Sequence, residues 1–236
     1  METISNAVDK LSNSLRIFAE EQFRFNKLVT IDKEEAVNNN NQAFEAILES
    51  FHTVYDITKD KNILDYFKYA DTTLLILLRN AIHHRNHLLF ESWNSSFYLK
   101  FNHEKLCGVQ FLLATYKNCN EDSFQVKHYY KIYDIYERLN HPQLKKFAEK
   151  HRKLFEKELS FSKITKYAKK ENYPDNQIYI NIMPILISAM SRIFIALKEN
   201  KIDVKGYDSK VYIQHFTSEK IVCLDMPIYD TYKICE

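Results

Sequence analysis

Apolar residues recur every three to four positions along most of the chain, and that spacing predicts helices. Ile4, Val8, Leu11, Leu15, Phe18 and Phe25 form one stripe, predicting a helix over about 4–28. The run Asn38 to Asn41 interrupts the pattern. Asn side chains bond nearby backbone and disfavour helix interiors, so a loop is expected there. Phe44, Leu48, Phe51 and Tyr55 predict a second helix over about 42–58. The segment 62–93 reads as long and helical, with a natural cap near Asp71-Thr72-Thr73. Further helices are expected over about 103–118, 124–139, 142–170 and 176–199, with Pro142 suited to a first helical position. Val211 to Phe216 and Ile221 to Leu224 flank Thr217-Ser218-Glu219-Lys220 and read as a small hairpin. The expected fold is all-α: a helical bundle over 1–120, a helical extension over 121–236 packed on it, and a small terminal β-hairpin.

Composition sharpens this picture. Gly108 and Gly206 are the only glycines among 236 residues. Tight turns favour Gly, so their scarcity argues against an all-β fold, and no Gly-rich phosphate loop is present. The four cysteines, Cys107, Cys119, Cys223 and Cys235, form no CxxC pair, and residues 1–28 are charged and amphipathic rather than a signal peptide. Reduced thiols in the cytoplasm are the simplest expectation. The most apolar window, Ile178 to Leu197, contains Arg192, whose charge would be costly in lipid, so a buried core helix is expected and no membrane partner. Charge is uneven. Residues 1–60 carry six Lys/Arg against eleven Asp/Glu, whereas residues 145–170 carry ten against three. Lys145, Lys146, Lys150, Arg152 and Lys153 in the second segment are a candidate RNA track. The alternative is a solvated helix face of mixed charge.

The candidate chemistry lies in Leu74 to Glu91, LLILLRNAIHHRNHLLFE. Between two apolar flanks, Arg79, Asn80, His83, His84, Arg85, Asn86 and His87 fall within nine positions. At about 100° per residue, all but Arg85 fit one stripe of a helix. That face would present a guanidinium, two amides and three imidazoles, and burying it without partners would cost several kcal/mol. The set suits RNA cleavage by attack of the 2′-hydroxyl on its own phosphate. Imidazole can accept or donate a proton near neutral pH. Arginine offers a planar fork for phosphate oxygens. The reaction needs no metal or other cofactor.

Arg79-Asn80-Ala81-Ile82-His83-His84 resembles the R-x4-H signature of the HEPN superfamily, in its R-N-x3-H form. The resemblance implies a HEPN-like helical bundle with metal-independent endoribonuclease activity, typical of toxin, abortive-infection and CRISPR-effector systems. It implies Arg79 and His84 as the catalytic pair with Asn80 in support, and His83 and His87 as auxiliaries. It also implies a homodimer with a composite site, products with 5′-hydroxyl and 2′,3′-cyclic phosphate ends, and an antitoxin or regulatory partner. HEPN toxins modified by a partner nucleotidyltransferase carry a Tyr two positions after the motif His. Asn86 stands there in this chain, which argues against that form of control. His83 lies beside His84 and competes with it for the proton-transfer role.

Other readings of the same residues remain open. His83, His87 and Glu91 recur at helical spacing and could hold a metal, and Glu49-x-x-His52 with Glu45 matches half of a di-iron motif. Glu45, Glu49, His52 and Asp56 form a polar stripe, either solvated or paired with Arg79 and the histidines. Tyr129, Tyr130, Tyr133 and Tyr136 read as core and surface aromatics rather than a base-stacking platform. His128 and His151 read as surface residues. A HEPN-like module that binds RNA or protein without cutting keeps the fold and drops the chemistry.

Overall fold

The computed structural model describes residues 2–84, 91–118, 126–218 and 222–234. The N-terminal stripe folds as read, into α1 (Glu2–Leu28), followed by α2 (Lys33–Thr58). Asp32 caps α2, its carboxylate accepting from the Glu35 N–H at 2.9 Å. Ile4, Val8, Leu11 and Phe18 are buried on α1, as are Val37, Phe44, Leu48 and Phe51 on α2. Phe18 meets Phe44 with ring centroids 5.6 Å apart. The loop expected at Asn38 to Asn41 is absent, because α2 runs straight through it. Ala36, Val37 and Phe44 are buried on either side, and that packing outweighs the weak helix propensity of asparagine.

After single 3-10 turns at Lys59–Lys61 and Tyr66–Lys68 comes α3 (Ala70–His84). Its start coincides with the break expected near Asp71. The buried Asp71 carboxylate accepts from Arg192 Nε at 2.7 Å and from Ser188 Oγ at 2.6 Å. Both partners lie on α8 (Met183–Glu199), which starts later than the helix expected over 176–199 because Ile178–Asn181 form a strand, and the Arg192 guanidinium stacks 4.0 Å over the Tyr69 ring. Among the described residues, no helix is long and apolar enough to cross a membrane.

Val211 to Phe216 is not a hairpin arm but part of α9 (Tyr207–Ser218). In a helix the same residues bring Tyr212 and Phe216 together at 5.8 Å and stack Phe216 on Phe194 at 5.5 Å, burial that a strand pairing would forgo. Gly206 opens α9 where an added Cβ would force the Asp9 carboxylate to shift. Its N–H donates to Asp9 Oδ1 at 3.0 Å, and an added Cβ would lie 2.7 Å from that oxygen.

The all-α expectation is overturned by a four-stranded mixed sheet, with 69% of the described residues helical, which makes the fold α/β. The strands are β1 (Gln110–Asn118), β2 (Tyr129–Lys131), β3 (Ile178–Asn181) and β4 (Val222–Lys233), in the order β2-β3-β1-β4. β1 is parallel to β3 and antiparallel to β4, and β2 is antiparallel to β3. The helix expected over 103–118 fails because its apolar run is short, and a short buried run carries no period to tell strand from helix. Gly108, at φ +84°, supplies the turn that precedes β1. On one face, Phe111, Leu113, Tyr129, Tyr179 and Ile234 surround Trp93 of the short α4 (Trp93–Ser95). The Trp93 ring lies 4.9 Å from Tyr179 and 5.2 Å from Phe111. α5 (Ile132–Leu139), α6 (Lys145–Glu158) and α7 (Phe161–Lys170) complete this part, and the buried Tyr116 hydroxyl of β1 donates to the Leu159 carbonyl at 2.6 Å. The helix expected over 142–170 is broken at Ser160, which takes a left-handed conformation.

The chain forms two compact units, Met1–Arg79 with Leu186–Ile221, and Asn80–Ile185 with Val222–Glu236. Each draws residues from both sides of position 120. The described residues of the first unit hold no strand, and the sheet belongs to the second.

Candidate functional site

α3 is a greasy rod with a polar end. Leu74, Leu75, Ile76, Leu77 and Leu78 are buried, as is Ala81 in the last turn. Polar groups begin at Arg79, whose side chain is 17% exposed, and continue through half-buried Asn80 to exposed His83. His84 is the last residue of the helix, and its side chain lies outside the described residues, as does the whole of His87.

Arg79 does not stand alone. Its Nε and Nη2 both donate to Glu49 Oε2 of α2, at 3.1 and 3.0 Å. Three residues along α2, His52 Nδ1 lies 3.1 Å from Asp56 Oδ2, and Asp56 also pairs with Lys59 at 2.8 Å. Burial first, and the Arg79 charge second, hold the His52 imidazole below its ordinary value against the opposing pull of Asp56 and Glu49. Partial burial pushes the Asp56 carboxyl up, but Lys59, His52 and Arg79 together hold it below the usual range. His52 is therefore neutral at pH 7. A neutral imidazole keeps a lone pair on one ring nitrogen.

Of the polar stripe of α2, Glu49 thus pairs with Arg79, while Asp56 pairs within its own helix and stays exposed. Sequence reasoning named this pairing as one of two options but omitted Glu49 and His52 from the site. The signal that could have found them is Glu49-x-x-His52 on a helix whose neighbour carries an isolated arginine. The same contacts bear on the metal readings. Glu49 engages Arg79, and Glu91 accepts from Ser96 Oγ at 2.9 Å and Lys100 Nζ at 2.8 Å. Among the described residues, no cluster of three or more His, Cys, Asp or Glu has metal-binding geometry.

The basic stretch splits into two stripes on α6. At helical spacing Lys146, Lys150 and Lys153 share one face, while Lys145 and Arg152 fall about 100° away. Lys146, Lys150 and Lys153 are exposed, Lys153 pairs with Glu149 at 2.7 Å, and the Lys145 side chain lies outside the described residues. Arg152 is half-buried, donates to Asn140 Oδ1 at 3.1 Å and covers the Tyr136 ring at 5.2 Å.

Two expected surface histidines are buried. His128 is 1% exposed and bonds the Tyr130 hydroxyl at 3.2 Å, and burial pushes its imidazole down to about 3. His151 is 7% exposed, held down by burial and then by Lys150. Tyr129 and Tyr130 are core residues, and Tyr133 is exposed. Of the cysteines, Cys107 forms no disulfide, but Cys223 is disulfide-bonded, which corrects the expectation of four reduced thiols. Comparison with family models, with curated proteins and with solved structures finds no match to this chain.

Proposed function

We propose that the protein is an endoribonuclease that cuts RNA by attack of the 2′-hydroxyl on the adjacent phosphate, at the polar end of α3. The observation that carries this reading is the Arg79 guanidinium, anchored by Glu49 at the tip of a buried helix and immediately followed by Asn80, His83 and His84. An anchored arginine loses little freedom when it meets a phosphate, and it stabilises the charge that builds on the phosphorane. His84 exchanges the proton, Asn80 orients the phosphate, and His83 and His87 are auxiliaries. Neutral His52 adds an imidazole with a proton acceptor in the field of Arg79. The resemblance to HEPN nucleases supports this assignment, and with it a homodimer and a toxin or defence role under an antitoxin or other regulator. A cytoplasmic location goes with the proposed RNA substrate, and there the Cys223 disulfide would respond to redox state.

Purified protein incubated with total RNA in EDTA should release fragments with 2′,3′-cyclic phosphate ends. Arg79→Ala and His84→Ala should each lower the rate by about 10²-fold or more while the circular dichroism spectrum stays unchanged. Cleavage by both variants at the parental rate would refute the assignment.

A second reading has one observation in its favour. The Arg79–Glu49 contact also braces α3 against α2, as a binding module without chemistry would need. A protein that binds RNA and never cuts it, with or without added divalent metal, supports that alternative.

A further inference from the structure

A cavity of about 320 Å³ opens in the second unit, at the lower end of the range for ligand pockets. Its polar wall combines Tyr133 and Tyr136 of α5, Arg152 and Glu156 of α6, Thr165 and Lys169 of α7, and Asp175, with Ile132 and Ile178 as its apolar part. None of these residues lies on α3, so the cavity stands apart from the cleavage reading.

The lining sorts by chemistry. Arg152 is held in place by Asn140 and by the Tyr136 ring beneath it, which leaves a fixed fork in the wall. With Lys169 it makes a pair of cations on two different helices, suited to one phosphate. Tyr133 is 46% exposed and presents an aromatic surface to a planar ring. Glu156 and Asp175 are acceptors for hydroxyl or amino donors. A bare anion would meet two carboxylates and gain nothing from the tyrosine. A purely apolar ligand would strand four charges. A ligand that carries a phosphate, an aromatic ring and hydroxyl or amino donors satisfies the whole wall. The surrounding helices bring ten Lys/Arg against three acids over residues 145–170, which draws polyanions to this side.

We infer that this cavity binds a nucleoside phosphate, either free or as one residue of single-stranded RNA. Titration calorimetry on the full chain distinguishes the two sources. The probes are adenosine 5′-monophosphate, adenosine, inorganic phosphate and a single-stranded RNA decamer. The monophosphate should bind more tightly than adenosine or phosphate alone. Lys169→Ala, an exposed position whose loss does not threaten folding, should weaken it about tenfold, and Tyr133→Ala by a similar factor. Arg79→Ala should bind it as the parent does, which separates this site from α3. If only the decamer binds, and the same two substitutions weaken it, RNA is the source. Binding of phosphate alone as tight as that of the nucleotide would overturn the inference. So would binding unaffected by Lys169→Ala and Tyr133→Ala, or none of any probe at millimolar concentration.

Discussion

His128 is sealed beside Tyr130, with its imidazole pushed down to about 3 by burial. In the unfolded chain the same ring titrates near 6.5. Protonation therefore favours the unfolded state. The stability this residue confers is fully present above about pH 6.5 and drains away as pH falls from there toward 3. At pH 5 the loss amounts to about 2 kcal/mol, since each pH unit inside that window is worth roughly 1.4 kcal/mol. Urea unfolding of His128→Gln at pH 7.5 and pH 5 should show an acid loss smaller than the parent's by about that amount. An unchanged acid loss would mean that the buried ring does not govern this limb. Such behaviour was not legible in the sequence, where nothing separates a histidine on a strand edge in water from one packed under a sheet. Arg79 was legible, because a lone guanidinium after five consecutive buried aliphatics demands a partner wherever the chain folds. Which partner it takes was not, because Glu49 lies thirty positions away on another helix.

α2 shows what a helix tolerates when its neighbours bury it. Asn40 is fully buried in mid-helix, and neither its Nδ2 nor its Oδ1 finds a hydrogen-bond partner among the described residues. Such a group costs about 1–3 kcal/mol, and alanine is the better helix former. Asn40→Ala should therefore raise stability by about 1 kcal/mol once the small cavity it leaves is counted, read as a higher denaturant midpoint at constant slope. Destabilisation would show that this amide is satisfied in solution. The same helix explains why the loop expected at Asn38 to Asn41 fails: propensity is worth tenths of a kcal/mol per residue, whereas the flanking Val37 and Phe44 bury whole side chains. α1, the second half of α2 and the body of α8 were readable from their period alone. β1 and β3 were not, because Phe111 to Ala114 and Ile178 to Ile180 are buried throughout and show no alternation.

Each unit is assembled from segments far apart along the chain, which local patterns cannot announce. The first needs α8 and α9 beside the N-terminal helices, and the second needs β4, which pairs with nearly the whole of β1. A chain cut after Ser218 keeps every helix of the first unit and removes β4 from the second. Hydrogen exchange read by mass spectrometry should then show α1 and α2 still protected, with β1 and β3 exchanging at least tenfold faster than in the full chain. Loss of protection in α1 and α2 as well would mean that the two units fold only together.

The placement of β4 also bears on synthesis. While a ribosome is still adding residues 186–221, neither unit has all its parts, although Arg79 and His84 were added long before. If α3 cuts RNA as proposed, that activity would have to wait until residues 186–221 join the first unit, and the message and ribosome would be spared until then by the order of assembly alone.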